Sequence, residues 1–300
     1  MAKEQDTQQP VSAPTDRDAR LSRRRFLRRA LLGAAAAAGV DGYCIEPRLQ
    51  RLETVEIPIR GLPAAFDGYR IALLTDFHYP RWIHGEFLRS AITLANSFQP
   101  DLMAMTGDFF DLPGASRVPD ISGLYDEARA RDGVIGVLGN HDHSLSSTNV
   151  RRALTTKTPI RLIENRSFYV ERGGEGLAIG GVGDLWHGIV APQAAFAGVP
   201  PEMPRLMLSH NPDVAEEMSA DVRVDLQLSG HTHGGQVRVP FGPAIRVPSR
   251  YGNKFRQGLV EGRRHRVYVS RGLCTVRWVR FWCPPEVSGI ILRRAGTDRA

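Results

Sequence analysis

Five short apolar runs in this chain each end in side chains able to bind a cation, and that recurrence constrains the fold more than any other property of the sequence. The run 71–75 ends in Asp76, Phe77 and His78, and the run 102–106 in Gly107, Asp108, Phe109, Phe110 and Asp111. The run 133–138 ends in Gly139, Asn140, His141 and Asp142, the run 206–209 in His210, and the run 226–229 in Gly230, His231, Thr232 and His233. Apolar stretches of this length between turn signals read as strands buried on both faces. Residues two apart in a strand share a side, so Asp76 and His78 offer an oxygen and a nitrogen ligand from one rigid support. A single Asp-x-His is explained as well by a solvated strand end. Five such ends in one chain form a constellation.

The segments between these runs read as helices. Phe87, Leu88, Ile92, Leu94 and Ala95 have helical spacing, closed by Gln99 and Pro100. Residues 121–131 and 150–156 read as two further helices, so the first half alternates strand and helix. Such units place polar residues at the carboxyl edge of a sheet, where α/β proteins build their sites. Ahead of them, Val55, Ile57 and Ile59 alternate around Pro58, which predicts an edge strand. The second half predicts strands over 161–163, 168–171, 177–183, 205–209, 225–229, 266–270 and 287–292, with one clear helix at 214–219. Residues 234–265 are rich in Gly and Pro and read as a long loop walling the substrate pocket.

At 300 residues and 42% hydrophobic, the chain is sufficient for one sizeable α/β catalytic domain. Its net charge of +7 is unevenly spread: +4 over residues 1–29, +10 over 246–300, and −7 between them. An acidic body suits a cation site, and a basic tail suits an anionic substrate or an anionic membrane or envelope surface. Nucleic acid is disfavoured as a partner, because basic and aromatic residues are not interleaved. Cys44, Cys274 and Cys283 match no zinc spacing, and a bridge between Cys274 and Cys283 stays open.

Residues 1–20 are polar and read as disordered. After them, SRRRFLR at 22–28 precedes an apolar run over 30–40 and resembles a twin-arginine signal, with Arg28 in the lysine position. The resemblance implies the twin-arginine machinery as a partner and export of the folded protein across the bacterial inner membrane. The expected location is periplasm or envelope, either freed by cleavage near 36–38 or anchored by the uncleaved signal. This divides the chain into a leader at 1–45 and a domain at 46–300.

Taken in order, D-x-H, G-D-x-x-D, G-N-H-D, a lone His and G-H-T-H resemble the calcineurin-like metallophosphoesterases over residues 70–292. The continuation GGQVRVPFGPAIRVPSRYG resembles the exported or membrane-associated bacterial branch. The fold so implied is an α/β four-layer αββα sandwich of two mixed sheets flanked by helices. The implied cofactors are two divalent transition ions (Mn, Fe, Zn or Ni), with Asp76, His78 and His233 on the first. Asn140, His210 and His231 fall on the second, with Asp108 bridging. A pair of ions polarises a shared water and clamps attacking and leaving oxygens, which suits a phosphoester substrate. By the same resemblance His141 stands near the leaving group as acid or donor, Asp111 holds and polarises it, and Asp142 supports the loop.

Leu112 follows Asp111 where the family's protein phosphatases carry an arginine, which weakens the case for phosphoprotein substrates. Arg81, Arg250 and Arg271 are the candidate replacements. The expected activity is a phosphodiesterase on a cell-envelope phosphodiester or phospholipid-like substrate. The alternatives are a UDP-2,3-diacylglucosamine-type pyrophosphatase and a non-catalytic envelope-binding protein that uses the basic tail. His84, His143, His187, His265, Trp82, Trp186 and Trp278 lie outside the motifs and read as structural.

Overall fold

A computed structural model describes residues 16–112 and 117–296. It separates into two compact units, 1–41 and 42–300. In the first, α1 (Asp16–Val40) carries the arginine cluster, and among the described residues no helix is long and apolar enough to cross a membrane. Residues 1–15, read as disordered, lie outside the described residues.

The second unit is built on fourteen described strands. These are β1 (Arg51–Ile59), β2 (Arg70–Leu74), β3 (Tyr79–Pro80), β4 (Leu102–Met105), β5 (Phe110–Asp111), β6 (Val134–Gly136) and β7 (Ile160–Leu162), followed by β8 (Arg166–Arg172), β9 (Glu175–Gly181), β10 (Arg205–Leu208), β11 (Leu226–Ser229), β12 (Gly258–Glu261), β13 (Arg266–Val269) and β14 (Glu286–Arg294). One mixed sheet runs β1-β14-β2-β4-β6-β7 and the other β12-β13-β11-β10-β9-β8; β3 and β5 form a short ribbon. In the first, β14 is antiparallel to β2 while β2, β4, β6 and β7 run parallel. In the second, β9, β10, β11 and β13 run parallel between antiparallel edges. The expected edge strand is β1, whose Pro58 lacks a ladder donor and is tolerated there.

Strand periodicity distributes the apolar residues into three layers of core. Ile71, Leu73, Leu102, Ala104 and Ile135 face Leu177, Ile179, Leu206, Leu208 and Leu226 across the space between the sheets. Their neighbours Ala72, Leu74, Met103 and Met105 point the other way, onto Leu88, Ala91, Ile92 and Ala95 of α2 (Gly85–Ser97) and Val150 and Leu154 of α3 (Asn140–Lys157). On the far face of the second sheet, Ala178 and Met207 meet Ala195 of α4 (Pro192–Ala195) and Val214 of α5 (Val214–Glu217). The result is the four-layer sandwich. Truncating Leu73 or Leu208 to Ala would cost about 2–5 kcal/mol, since both are fully buried.

Two expectations are corrected, and the cysteine pairing left open is resolved. Residues 121–131 form successive turns and not a helix. Ile121, Leu124, Tyr125 and Ala128 are buried at helical spacing, but Gly123 sits at φ +75. Asn96 of α2 replaces the missing helical bonds, donating to the Glu127 carbonyl and accepting from the Arg129 N–H. The long loop after His233 contains β12, an edge strand that its glycines concealed. Cys274 and Cys283 are buried and unbridged.

Candidate metal centre and substrate cleft

The parallel strands β2, β4, β10 and β11 point their carboxyl ends at one place, and the chain must turn sharply there to bring ligands together. Asp76, His78, Asp108, His231 and His233 all hold left-handed backbones, with φ from 46 to 69. None is glycine, and such strain persists only where the surroundings over-determine it, typically at functional sites. Glycines supply the clearance. A Cβ on Gly139 would meet Asp108 Oδ1 at 2.2 Å, and one on Gly230 would meet Asp76 Oδ2 at 2.4 Å.

The convergence centres on Asp108. Its Oδ2 lies 3.4 Å from His78 Nε2 and 3.1 Å from His210 Nε2, while Oδ1 accepts the His141 N–H at 2.8 Å in the first turn of α3. On the His78 side, Asp76 Oδ1 is 3.9 Å from His78 Nε2 and 3.4 Å from His233 Nε2. On the His210 side, Nε2 is 3.2 Å from both Asn140 Oδ1 and His231 Nδ1. His210 Nδ1 bonds the Thr106 carbonyl at 2.7 Å, which fixes the ring so that Nε2 faces inward. Asp76 is held by the His231 N–H at 3.0–3.1 Å. Two groups of candidate ligands therefore meet at one carboxylate oxygen.

Buried imidazole nitrogens in this cluster are left without a hydrogen-bond partner among the described residues: His78 Nδ1 and Nε2, His231 Nε2 and His233 Nδ1. Each such omission costs roughly 1–3 kcal/mol unless something else satisfies it. Burial holds His231 down at about 3 and His233 well below the ordinary imidazole range. Burial pushes Asp76 up. At Asp108 burial is outweighed by His210 and His78, which hold its carboxyl well below the usual range, and the same carboxylate lifts His210 to about 10 against its own burial. Imidazole, carboxylate and amide oxygen together fit first-row transition ions.

His141 stands at the edge of this cluster, 40% exposed, with Nδ1 3.4 Å from Asp111 Oδ1. Burial opposes its charge, but Asp111 and Asp108 raise it above the ordinary range. Asp111 is itself gripped by the Trp82 indole N–H at 2.8 Å and lies 3.4 Å from Arg81 Nη1. Asp142 accepts the Phe110 and Gly139 N–H groups at 3.0 and 2.9 Å, which closes the loop.

Residues 69–235 match the sequence profile of the calcineurin-like phosphoesterases, and every member of the two ligand sets falls inside that span. The chain belongs to the calcineurin-like phosphoesterase family. It is a metal-dependent phosphoric ester hydrolase. The "Uncharacterized metallophosphoesterase YkuE" of Bacillus subtilis is 32% identical over 91% of this chain and 98% of its own length. "Phosphodiesterase YaeI" of Escherichia coli is 32% identical over 89% and 98%. "UDP-2,3-diacylglucosamine pyrophosphatase LpxG" of Chlamydia muridarum is 25% identical over 86% and 94%.

In this phosphoesterase the ligands open into a cleft of about 550 Å³, with Trp186, Val237, Ile245, Arg246, Pro248, Val276 and Arg277 among its walls. The loop after His233 does wall it. The three arginines named as candidate replacements each have an acidic partner and are absent from the cleft lining: Arg81 faces Asp111, Arg250 pairs with Glu217, and Arg271 is fastened between Glu53 and Glu286. Arg246 and Arg277 line the cleft, exposed, and neither has a side-chain hydrogen bond or ion pair among the described residues. The tryptophans are not buried packing either. Trp186 stands edge-on to His231 at 4.5 Å, its backbone N–H donating to Asp184 Oδ1, and Trp82 and Trp278 line a second groove of about 580 Å³. Cys274 was also missed, since nothing in its sequence context marks it. Its thiol lies beside His78 and His233, and burial pushes its pKa up, keeping it protonated.

Proposed function

We propose that this protein is a dinuclear-metal phosphodiesterase acting on an amphiphilic phosphodiester of the cell envelope. One observation carries it: Asp108 Oδ2 faces His78 of one ligand set and His210 of the other. Asp76, His78 and His233 with Asp108 would hold one ion, and Asn140, His210 and His231 with Asp108 the other. When bound, the ions supply the positive charge that neutralises phosphoryl oxygens and makes a water acidic.

The chain's own residues do the rest. Arg277 and Arg246 draw the anionic ester into the cleft and orient its second oxygen substituent, replacing the arginine absent at Leu112. His141, kept protonated by Asp111, donates to the leaving oxygen. Trp82 holds Asp111 so that the His141 ring keeps its direction. Trp186, Val237, Ile245 and Val276 exclude water and contact the apolar part of the ester. The apolar walls favour a lipid-like ester, and the two relatives named for a phosphodiesterase and for UDP-2,3-diacylglucosamine hydrolysis are compatible with it. The resemblance of residues 22–28 to a twin-arginine signal supports an exported location, with 1–45 as leader and 46–300 as catalytic domain. A purely binding role for the basic tail is disfavoured, because two of its arginines, Arg271 and Arg280, are buried.

Purified protein loaded with Mn²⁺ is expected to hydrolyse bis(p-nitrophenyl) phosphate, and to prefer a glycerophosphodiester over a UDP-sugar ester. Failure with every activated mono- and diester, at confirmed metal content, would overturn the reading.

A further inference from the structure

One turn beside the cleft holds an aromatic residue almost fully in solvent, although its backbone is fastened on every side. Arg238 and Ala244 form an antiparallel bridge, Val237 pairs with Phe281, and the Gly242 N–H donates to the Val239 carbonyl at 2.8 Å. Asn253 bonds both backbone groups of Ala244, and Arg256 bonds the Gly242 carbonyl at 2.8 Å. At the tip Phe241 is 96% exposed with φ +60. A bulky residue in that conformation is strained, and its exposure forfeits the burial that would offset the strain. Its neighbour Trp282 repeats the pattern: left-handed at φ +57, 43% exposed, and edge-on to Phe241 at 4.7 Å. Trp282 is pinned through its backbone N–H, which donates to Glu46 Oε2 at 2.8 Å. Val239 and Ile245 extend the exposed patch.

We infer that the Val239, Phe241 and Trp282 tip inserts into the surface of an anionic lipid bilayer, setting the mouth of the cleft at the depth of the headgroups. Two observations select lipid as the partner. The patch is continuous with the cleft, because Val237, Ile245 and Arg246 belong to the turn and also line the cavity. Arg246 and Arg277 are exposed beside it, so aromatic and cationic groups lie together, the pairing that binds anionic interfaces. A small projecting tip, preformed and rigid, enters headgroups without an ordering cost. The inference rests on the amphiphilic-substrate reading and assigns how that substrate is reached.

The test uses the full-length, Mn²⁺-loaded chain and vesicles of equimolar phosphatidylcholine and phosphatidylglycerol with brominated acyl chains, which quench tryptophan on contact. Quenching is expected, and Trp282→Phe is expected to remove more than the quarter that one of four tryptophans would contribute if all were equally reached. Phe241→Ser should weaken vesicle binding about tenfold, and Val239→Ser less. Both should turn over bis(p-nitrophenyl) phosphate within twofold of wild type while losing most activity on a phosphodiester lipid embedded in vesicles. Equal binding and quenching by wild type and Phe241→Ser would overturn the inference, as would a wild-type dimer that Phe241→Ser dissociates without vesicle binding. A wild type that is quenched by vesicles but inert on the soluble diester would instead refute the catalytic reading.

Discussion

The cleft has two kinds of wall, and they use polar side chains in opposite ways. The wall made by strand ends buries Asp76, His78, Asp108, His231 and His233 and leaves four of their imidazole nitrogens without a hydrogen-bond partner among the described residues. The wall made by residues 236–283 buries Arg238, Arg271 and Arg280 and gives each of them partners, while Arg246 and Arg277 stay exposed at the cleft. Arg280, fully buried, donates to the carbonyls of Arg271, Gly272, Cys274 and Cys283. That network fixes the loop whose Leu273 and Cys274 N–H groups bond the carbonyls of Thr75 and Asp76. One wall is kept incomplete for a cation, and the other is completed so that the first keeps its shape. Burial alone therefore does not mark a functional charge; what distinguishes the walls is whether the buried group is satisfied.

Substitutions can break this contrast. The largest effect is expected at Asp108→Asn, which removes the charge shared by both ligand sets: kcat/KM on an activated diester should fall by about 10³-fold or more, with circular dichroism unchanged. Arg280→Ala should do the reverse, losing roughly 3–5 kcal/mol of stability in denaturant titration because buried carbonyls are left without donors. Arg280→Lys should not restore it, since an ammonium lacks the planar fork.

Smaller effects sharpen the division. His141→Ala should lower kcat by roughly 10²-fold and spare metal content, while Asp111→Asn should cost somewhat less by freeing the ring. Arg277→Ala and Arg246→Ala should each raise KM about tenfold with kcat nearly constant, the signature of lost substrate binding. Arg250→Ala, whose side chain is 67% exposed against Glu217, should change neither KM nor stability by more than about 0.5 kcal/mol.

The two walls were also unequally legible. Each candidate ligand follows an apolar run, so local sequence was enough to pick out Asp76 through His233 as residues that the fold brings together, and the apolar runs located the strands that carry them. The arginine wall has no such code. Arg271 is buried because Glu53 and Glu286 reach it, Arg280 because the 271–283 segment folds its carbonyls around the guanidinium, and Arg277 stays exposed, differences that are read only after the chain is folded. Residues 121–131 fail for a related reason. Their helical spacing of apolar residues records which side chains meet α2, and the left-handed Gly123 breaks the backbone that the spacing implies. Trp82 and Trp186 matter through partners, Asp111 and His231, that composition does not reveal.

The most direct test of the shared carboxylate is the metal content of the purified, Mn²⁺-loaded chain, measured by elemental analysis alongside Asp108→Asn. The account predicts two ions per folded chain in the wild type and a loss of at least one in the variant. A wild type that retains a single ion, or an Asp108→Asn variant that still holds two as tightly, would contradict it.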